Sequence, residues 1–331
     1  MAAIEQAAII GGGVIGAGWI SRLIENGVDV TIYDPADDAE QKVEAVLVNS
    51  RYAYAKLISG PRCTEGKIEF CGSITEAVAN AELIVESVPE RLDIKQAVYT
   101  DIEAGAKPDA IIASSTSFIM PTDLQANLIH PERLLVAHPF NPVYLLPMVE
   151  LVGGKMTSAE TIEHAFRIYQ SLGMKPLHVK KEIEGFIADR LLEAIWRECL
   201  WLVKDGIATT QDIDEAMSYG FGLRWAQMGI FDTYRVAGGE AGMRHFMAQF
   251  GPCLKWPVTK FMNVPEFTGE LVDLIAGQSD EQSGHMSIRE MERIRDDNLI
   301  AILHALKGND WGAGKTLARY ERQLLKAAND E

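Results

Sequence analysis

The stretch AAIIGGGVIGAGWISRLIENGVDVTIYD, residues 7–34, decides the fold. Ala7–Ile10 is a short apolar run that reads as a buried strand and stops at glycines. Val14–Ile24 then carries apolar residues at helical spacing, and after Gly27 the segment Val28–Tyr33 alternates like a second strand. Strand, helix, strand in this rhythm predicts a parallel sheet with helices on both faces. At the first turn, Gly11, Gly13 and Gly16 fit G-x-G-x-x-G. Glycines there permit the tight turn and let backbone approach a pyrophosphate at the helix N-terminus. By itself the motif is weak. Here it follows a strand, opens a helix, and Asp34 closes the next strand about 20 residues on, where a ribose 2′-hydroxyl partner belongs. Gly11, Gly12, Gly13, Val14, Ile15 and Gly16 are the expected cradle. The Asp34 carboxylate would repel a 2′-phosphate and Pro35-Ala36 offers no arginine, so NAD is expected over NADP. A flavin has no other support, and the bland alternative is a glycine turn without a ligand.

Further short strands are expected at Leu83–Val85, Ala110–Ala113 and Leu134–Ala137, separated by polar, helix-capable segments. From Ile183 the pattern changes. Phe186, Ile187, Leu191, Ile195, Trp196, Cys199, Leu202 and Val203 recur at helical spacing until Asp205-Gly206. Ile288, Met291, Ile294, Leu299, Ile302 and Leu306 form another helical set. The expected fold is therefore α/β: a Rossmann-type doubly wound sheet over 1–182, then an all-helical domain over 183–331. The tail from about Gly308 reads as helical, and its GKT lacks the spacing of a phosphate loop.

Composition narrows the partners. Of 331 residues, 31 are Lys or Arg and 47 Asp or Glu, so the net charge is 31 − 47 = −16, which disfavours nucleic acid and anionic membranes. Cys63, Cys71, Cys199 and Cys253 show no paired spacing and read as free thiols of a reducing cytoplasm. The seven histidines are scattered, so no metal site is expected. No apolar run is long enough to span a membrane.

The chemistry concentrates in HPFNPVYLLPMVE, residues 138–150. His138 follows an apolar strand and should sit near its C-terminal end, the edge where open α/β sheets bind ligands. Oxidising an alcohol with NAD needs a base for the hydroxyl proton, and imidazole titrates near neutrality. Glu150 is a suitable partner for the far side of the ring, provided the intervening NPVYLLP turns the chain back. The bland alternative is a buried structural histidine and a solvated glutamate. A second polar turn, SSTS at Ser114–Ser117, offers hydroxyls for the reacting oxygen or the nicotinamide. Alternatively, Ser117 is a helix N-cap.

Taken together, IIGGGVIGAG, SSTS, HPFNP with Glu150, and GFIADRLL resemble the 3-hydroxyacyl-CoA dehydrogenase family over nearly the whole chain. The resemblance implies a base at His138 with Glu150 as partner, Ser117 and Asn141 on the reacting group, and cofactor contacts at Glu90, Lys95 and Ser115. It also implies a homodimer through the helical domain and a substrate cleft between domains.

Two departures bear on the substrate. Family members usually carry asparagine in G-F-x-x-N-R, where this chain has Asp189, whose carboxylate suits a cation better than an anionic acyl-CoA. The segment after the second strand, residues 41–67, also lacks the lysine-rich helix suited to CoA phosphates. Both fit a cationic 3-hydroxy acid, and the resemblance is strongest to the carnitine-oxidising branch of the family. The expected substrate is L-carnitine, with L-gulonate or a short-chain 3-hydroxyacyl-CoA as alternatives. A non-catalytic NAD-binding sensor is the reading outside the enzyme class. A quaternary ammonium has no donor hydrogens, so an aromatic cage is expected. Tyr144, Trp196 and Trp225 are its candidate walls, Asp189 its carboxylate, and Arg197 or Arg224 the fork for the substrate carboxylate. Core packing is the competing role for each aromatic, Trp256 included.

Overall fold

Alternating apolar strands with amphipathic helices can bury both faces of a sheet, and the computed structural model has that layout. It describes residues 3–226, 228–238, 240, 242–250, 266, 268–283 and 285–330, so Cys253 and Trp256 lie outside the described residues. The strands are β1 (Gln6–Ile10), β2 (Asp29–Tyr33), β3 (Ile68–Phe70), β4 (Leu83–Glu86), β5 (Ile111–Ser114), β6 (Leu134–Pro139), β7 (Met148–Gly153) and β8 (Lys175–Val179). They form one sheet in the order β3-β2-β1-β4-β5-β6-β7-β8. Pairing is parallel from β3 to β6; β7 runs antiparallel to β6 and β8 parallel to β7. The expected strands are all present, while β3, β7 and β8 were not anticipated. β7 breaks the parallel rule because a short loop, not a crossover helix, joins it to β6.

Helices Val14–Glu25 and Ala39–Leu57 cover one face, where Trp19, Ile20, Leu23, Val43 and Leu47 are buried with Ile9, Ile32 and Val85. The opposite face packs Ile10, Ile84, Ile112 and Val136 against Tyr99, Ile102 and Leu124. The order reverses between β1 and β4, and ligands of such sheets bind in the crevice beyond the strand ends at that point.

The loop joining β6 to β7 is held from beneath. Arg22, buried, donates from Nε to the Val143 carbonyl at 2.8 Å and from Nη1 to that of Leu172 at 3.2 Å. Gly18 lets Val143 approach so closely that an added Cβ would lie 2.9 Å from it.

By contact the chain divides into two compact units, Met1–Ile187 with Asp296–Glu331, and Ala188–Arg295. The sequence reading assigned everything from 183 onward to one helical domain; instead residues from Asp296 belong with the sheet. The reason is packing. Ile300, Leu303, Leu317, Tyr320 and Leu324 share a core with Tyr54, Leu57, Tyr144 and Leu145. Polar ties reinforce it, with Lys56 Nζ 2.7 Å from Asp297. The tail helix Gly312–Asp330 thus has a role the sequence left open.

The second unit is helical in its described residues, beginning with Ala188–Lys204, which ends where Gly206 takes φ +66. No described helix is long and apolar enough to cross a membrane.

Candidate active site

The site begins at the switch point of the sheet. Gly11 has φ +99, and an added Cβ would meet the Ser87 carbonyl at 2.7 Å, so only glycine fits there. A Cβ on Gly16 would meet the Gly11 carbonyl at 1.9 Å. Above Gly13, by contrast, nothing lies within 4 Å. The helix Val14–Glu25 starts with no side-chain cap and no acid in its first turn. Its amides therefore face open space with a positive end, as a pyrophosphate requires. Asp34 Oδ2 accepts from Gly12 N–H at 2.7 Å and Oδ1 from Ala36 N–H at 2.9 Å. Both bonds hold the carboxylate at the rim of an open cavity of about 720 Å³ whose other walls include Asp37, Asp38, Glu40 and Phe70, with no Lys or Arg. The donor set and the open cradle fit NAD, and the acidic rim opposes a 2′-phosphate.

Further along the strand ends, Ser115 Oγ accepts from Trp19 Nε1 at 3.1 Å and from the Ser87 hydroxyl at 3.0 Å. Glu90 faces the 116–118 backbone, accepting from Ser117 N–H and Phe118 N–H, each at 3.1 Å, and from the Thr116 hydroxyl. Burial works to raise the Glu90 pKa, but the Thr116 hydroxyl, the Lys95 charge and those amides outweigh it and hold the carboxyl below its ordinary range. Lys95 differs from expectation. Only 1% exposed, its ammonium lies 2.7 Å from Glu86 and 3.4 Å from Glu90, so it supports a carboxylate instead of reaching out to a cofactor.

His138 and Glu150 are direct cross-strand partners in the antiparallel β6–β7 pair. Partners in such a pair lie on the same face, which brings together residues twelve apart. His138 Nδ1 is 3.0 Å from Glu150 Oε2, and its Nε2 is 3.2 Å from Ser117 Oγ. A carboxylate only accepts, so Nδ1 carries the proton and Nε2 presents its lone pair towards Ser117. Glu150 is fully buried and His138 4% exposed, so solvent screening of the pair is weak. Phe140 and Phe186 wall the imidazole, with ring centroids at 4.9 and 5.6 Å. The second Glu150 oxygen accepts from Ile187 N–H at 3.1 Å. That amide is delivered by a backbone with φ +70 at Gly185 and +47 at Phe186, the latter sparsely populated for a bulky residue.

Asn141 is exposed just beyond β6 and precedes a cis proline, Pro142. Ser117 is not an N-cap: the next helix is Pro121–Leu124, and Met120 holds its cap position. Tyr144 requires correction. It is buried in the core with the tail helices, its hydroxyl donating to Asp296 at 2.6 Å, so it cannot wall a ligand cage. Asp189, Trp196 and Arg197 lie on the helix Ala188–Lys204 of the second unit, seven residues separating Asp189 from Trp196 along one face. Trp196 borders an apolar cavity of about 240 Å³ with Leu192, Ile195, Cys199 and Asp214. Trp225 sits against Phe221, ring centroids 4.6 Å apart. Cys63, Cys71 and Cys199 form no disulfide, and no metal-binding group of His, Cys, Asp and Glu occurs among the described residues.

Sequence reasoning missed Glu86, Thr116, Phe186 and the Ile187 amide. Glu86 carried a signal, an acid ending the buried run LIVE. Backbone donors carry none.

Comparison with known proteins agrees with this geometry. Residues 6–183 match the NAD binding domain of 3-hydroxyacyl-CoA dehydrogenase, and residues 185–263 its C-terminal domain. The chain belongs to the 3-hydroxyacyl-CoA dehydrogenase family. Like the family, it is an NAD-dependent dehydrogenase. A protein of Mesorhizobium japonicum named L-carnitine dehydrogenase is 61% identical over 333 residues, covering 99% of this chain and 92% of that protein. One from Agrobacterium fabrum, named L-carnitine dehydrogenase/betainyl-CoA thioesterase, is 61% identical over 96% of this chain. This chain spans only 65% of that longer relative. Among solved structures, 5-formyl-3-hydroxy-2-methylpyridine 4-carboxylic acid 5-dehydrogenase, an NAD+-dependent dismutase, is 30% identical with a TM-score of 0.80, covering 92% of this chain and 99% of that one.

Proposed function

We propose that the chain oxidises the 3-hydroxyl of L-carnitine to 3-dehydrocarnitine, with His138 as base. The observation that carries this reading is the chain of contacts Ser117–His138–Glu150, in a protein closely similar to enzymes named L-carnitine dehydrogenase. Bound NAD supplies the hydride acceptor. The protein's own residues handle the proton. Ser117 and Asn141 orient the substrate hydroxyl, His138 Nε2 takes its proton, and Glu150 stabilises the imidazolium through Nδ1. The Ile187 amide keeps Glu150 from turning away, and the phenyl walls exclude water from the base.

Gly11, Gly12, Gly13, Val14, Ile15, Gly16 and Asp34 hold the dinucleotide, with Ser115 nearer the reacting end; Glu90 leaves this set, since its Oε1 is taken up by the 116–118 donors. Asp189, Trp196, Arg197 and Trp225 remain the proposed substrate-side residues, and Tyr144 leaves that set. A homodimer is proposed as well. On the second unit Leu191, Leu192, Leu223, Phe231 and Val236 are exposed, more apolar surface than a small helical unit leaves bare without a partner.

The deciding experiment follows NADH appearance with purified protein, NAD and either L-carnitine, L-gulonate or 3-hydroxybutyryl-CoA. Turnover with L-carnitine is expected. Turnover with one of the others in its place would overturn the substrate and leave the base intact.

A further inference from the structure

Residues 115–120 form no helix or strand, so the amides of Ser117 and Phe118 have no secondary-structure partner. They converge instead on one atom. Glu90 Oε1 takes both amides at 3.1 Å and the Thr116 hydroxyl besides. The carboxylate that gathers them is fixed in turn. Lys95 Nζ lies 3.4 Å from its other oxygen and 2.7 Å from Glu86. Glu86 is fully buried and anchors that lysine, accepting also from the Tyr99 hydroxyl at 2.7 Å, the Ser114 hydroxyl at 2.7 Å and Val88 N–H at 2.9 Å. The path runs from a buried anchor, through Lys95 and Glu90, to the backbone that carries Ser117, whose Oγ is 3.2 Å from His138 Nε2.

We propose that Glu90 is a positioning residue for Ser117: by gathering the 116–118 donors on one oxygen, it fixes where the serine hydroxyl meets the His138 imidazole. This rests on the reading of Ser117 and His138 as the pair that handles the substrate proton. Charge-assisted bonds from a carboxylate to amides are strong and directional, so they suit a loop that lies outside helix and strand. A displacement of about 1 Å in such a group costs on the order of 10²-fold in rate. The role differs from a cofactor contact, because it acts on turnover and not on NAD affinity.

The test is a double-mutant cycle on the full chain, measuring kcat and the KM for NAD with L-carnitine. Ser117→Ala and Glu90→Ala are each expected to lower kcat by roughly 10- to 100-fold, with the KM for NAD within about threefold of wild type. The double variant should be no slower than the slower single variant, since Glu90 has nothing left to position. Glu90→Gln retains an acceptor oxygen in reach of the Ser117 and Phe118 amides and should recover part of the lost turnover. It also guards against a Glu90→Ala chain that fails to fold. Losses that multiply in the double variant would overturn the proposal while leaving the role of Ser117 standing. A Glu90→Ala effect confined to the KM for NAD would overturn it too. Ser117→Ala with wild-type turnover would remove the serine from the reaction, and the positioning role with it.

Discussion

The two units treat their apolar residues differently. In the sheet unit, Trp19, Ile20, Leu23, Tyr99, Tyr169 and Phe186 are fully buried, and the paired charges Glu86, Lys95 and Glu150 are buried among such residues. In Ala188–Arg295, the buried apolar side chains among the described residues are Leu200, Val203 and Leu271, while Leu191 is 58% exposed and Phe231 77%. The difference teaches where each kind of residue can be read. A sheet covered by helices closes its own core, and its polar groups must then find partners inside. Among its described residues the helical unit buries few apolar side chains, and its exposed leucines are what the proposed second copy would cover.

The largest test of this contrast is chemical. His138→Ala should lower kcat by about 10²–10⁴ with the fold retained, measured as NADH formation beside circular dichroism. A near-normal rate would make the dry His138–Glu150 pair purely structural.

Next comes the closure of the sheet unit by its tail. Gly173 has φ +75, and an added Cβ would lie 2.6 Å from the Tyr320 ring. Gly173→Ala should destabilise the chain by about 3 kcal/mol in urea unfolding, through backbone strain and overpacking together. An unchanged midpoint would mean that the tail helix contributes little.

Smaller is a pH effect from the same unit. Burial raises the Glu25 carboxyl from its ordinary 4.5 to about 7, outweighing the ion pair with Arg62 at 3.3 Å. Between those values the folded chain keeps a proton the unfolded chain has lost. The protonated carboxyl's contribution is therefore fully present below about pH 4.5 and lost as pH rises through about 7. Glu25→Gln should remove on the order of 2 kcal/mol of that decline, read as the difference in unfolding free energy between pH 5 and pH 8. Parallel pH profiles for the two proteins would contradict it.

The last test turns to the helical unit. In one isolated copy, Leu191→Asp changes an exposed position and should cost little; against a partner face it should weaken the dimer by about 1–2 kcal/mol. Sedimentation of a dimeric wild type and a dissociating variant is the expected result. A monomeric wild type would end the dimer proposal and leave the bare leucines unexplained.

Much of the sheet unit was legible because local chemistry dictates it. Apolar runs of strand length, the Gly11–Gly16 turn and Asp34 each act on neighbours in sequence. β3, at three residues, is too short to show a period, and β7 and β8 were hidden by prolines and by polar edge positions. The misreading of Tyr144 has a similar cause. Its sequence neighbours place it beside the base, but its burial depends on Asp296 and Tyr320, far along the chain.

The sequence by itself determined the doubly wound α/β class, the glycine cradle with Asp34, and the candidacy of His138, Glu150 and Ser117, because glycine conformation, hydrophobic period and acid–base character belong to residues. Only the tertiary structure decided that β6 and β7 set His138 opposite Glu150, that Glu86 and Lys95 stand behind Glu90, and that the tail returns to the sheet. Those are pairings between distant segments, set by which surfaces exclude water together, and no local pattern encodes them.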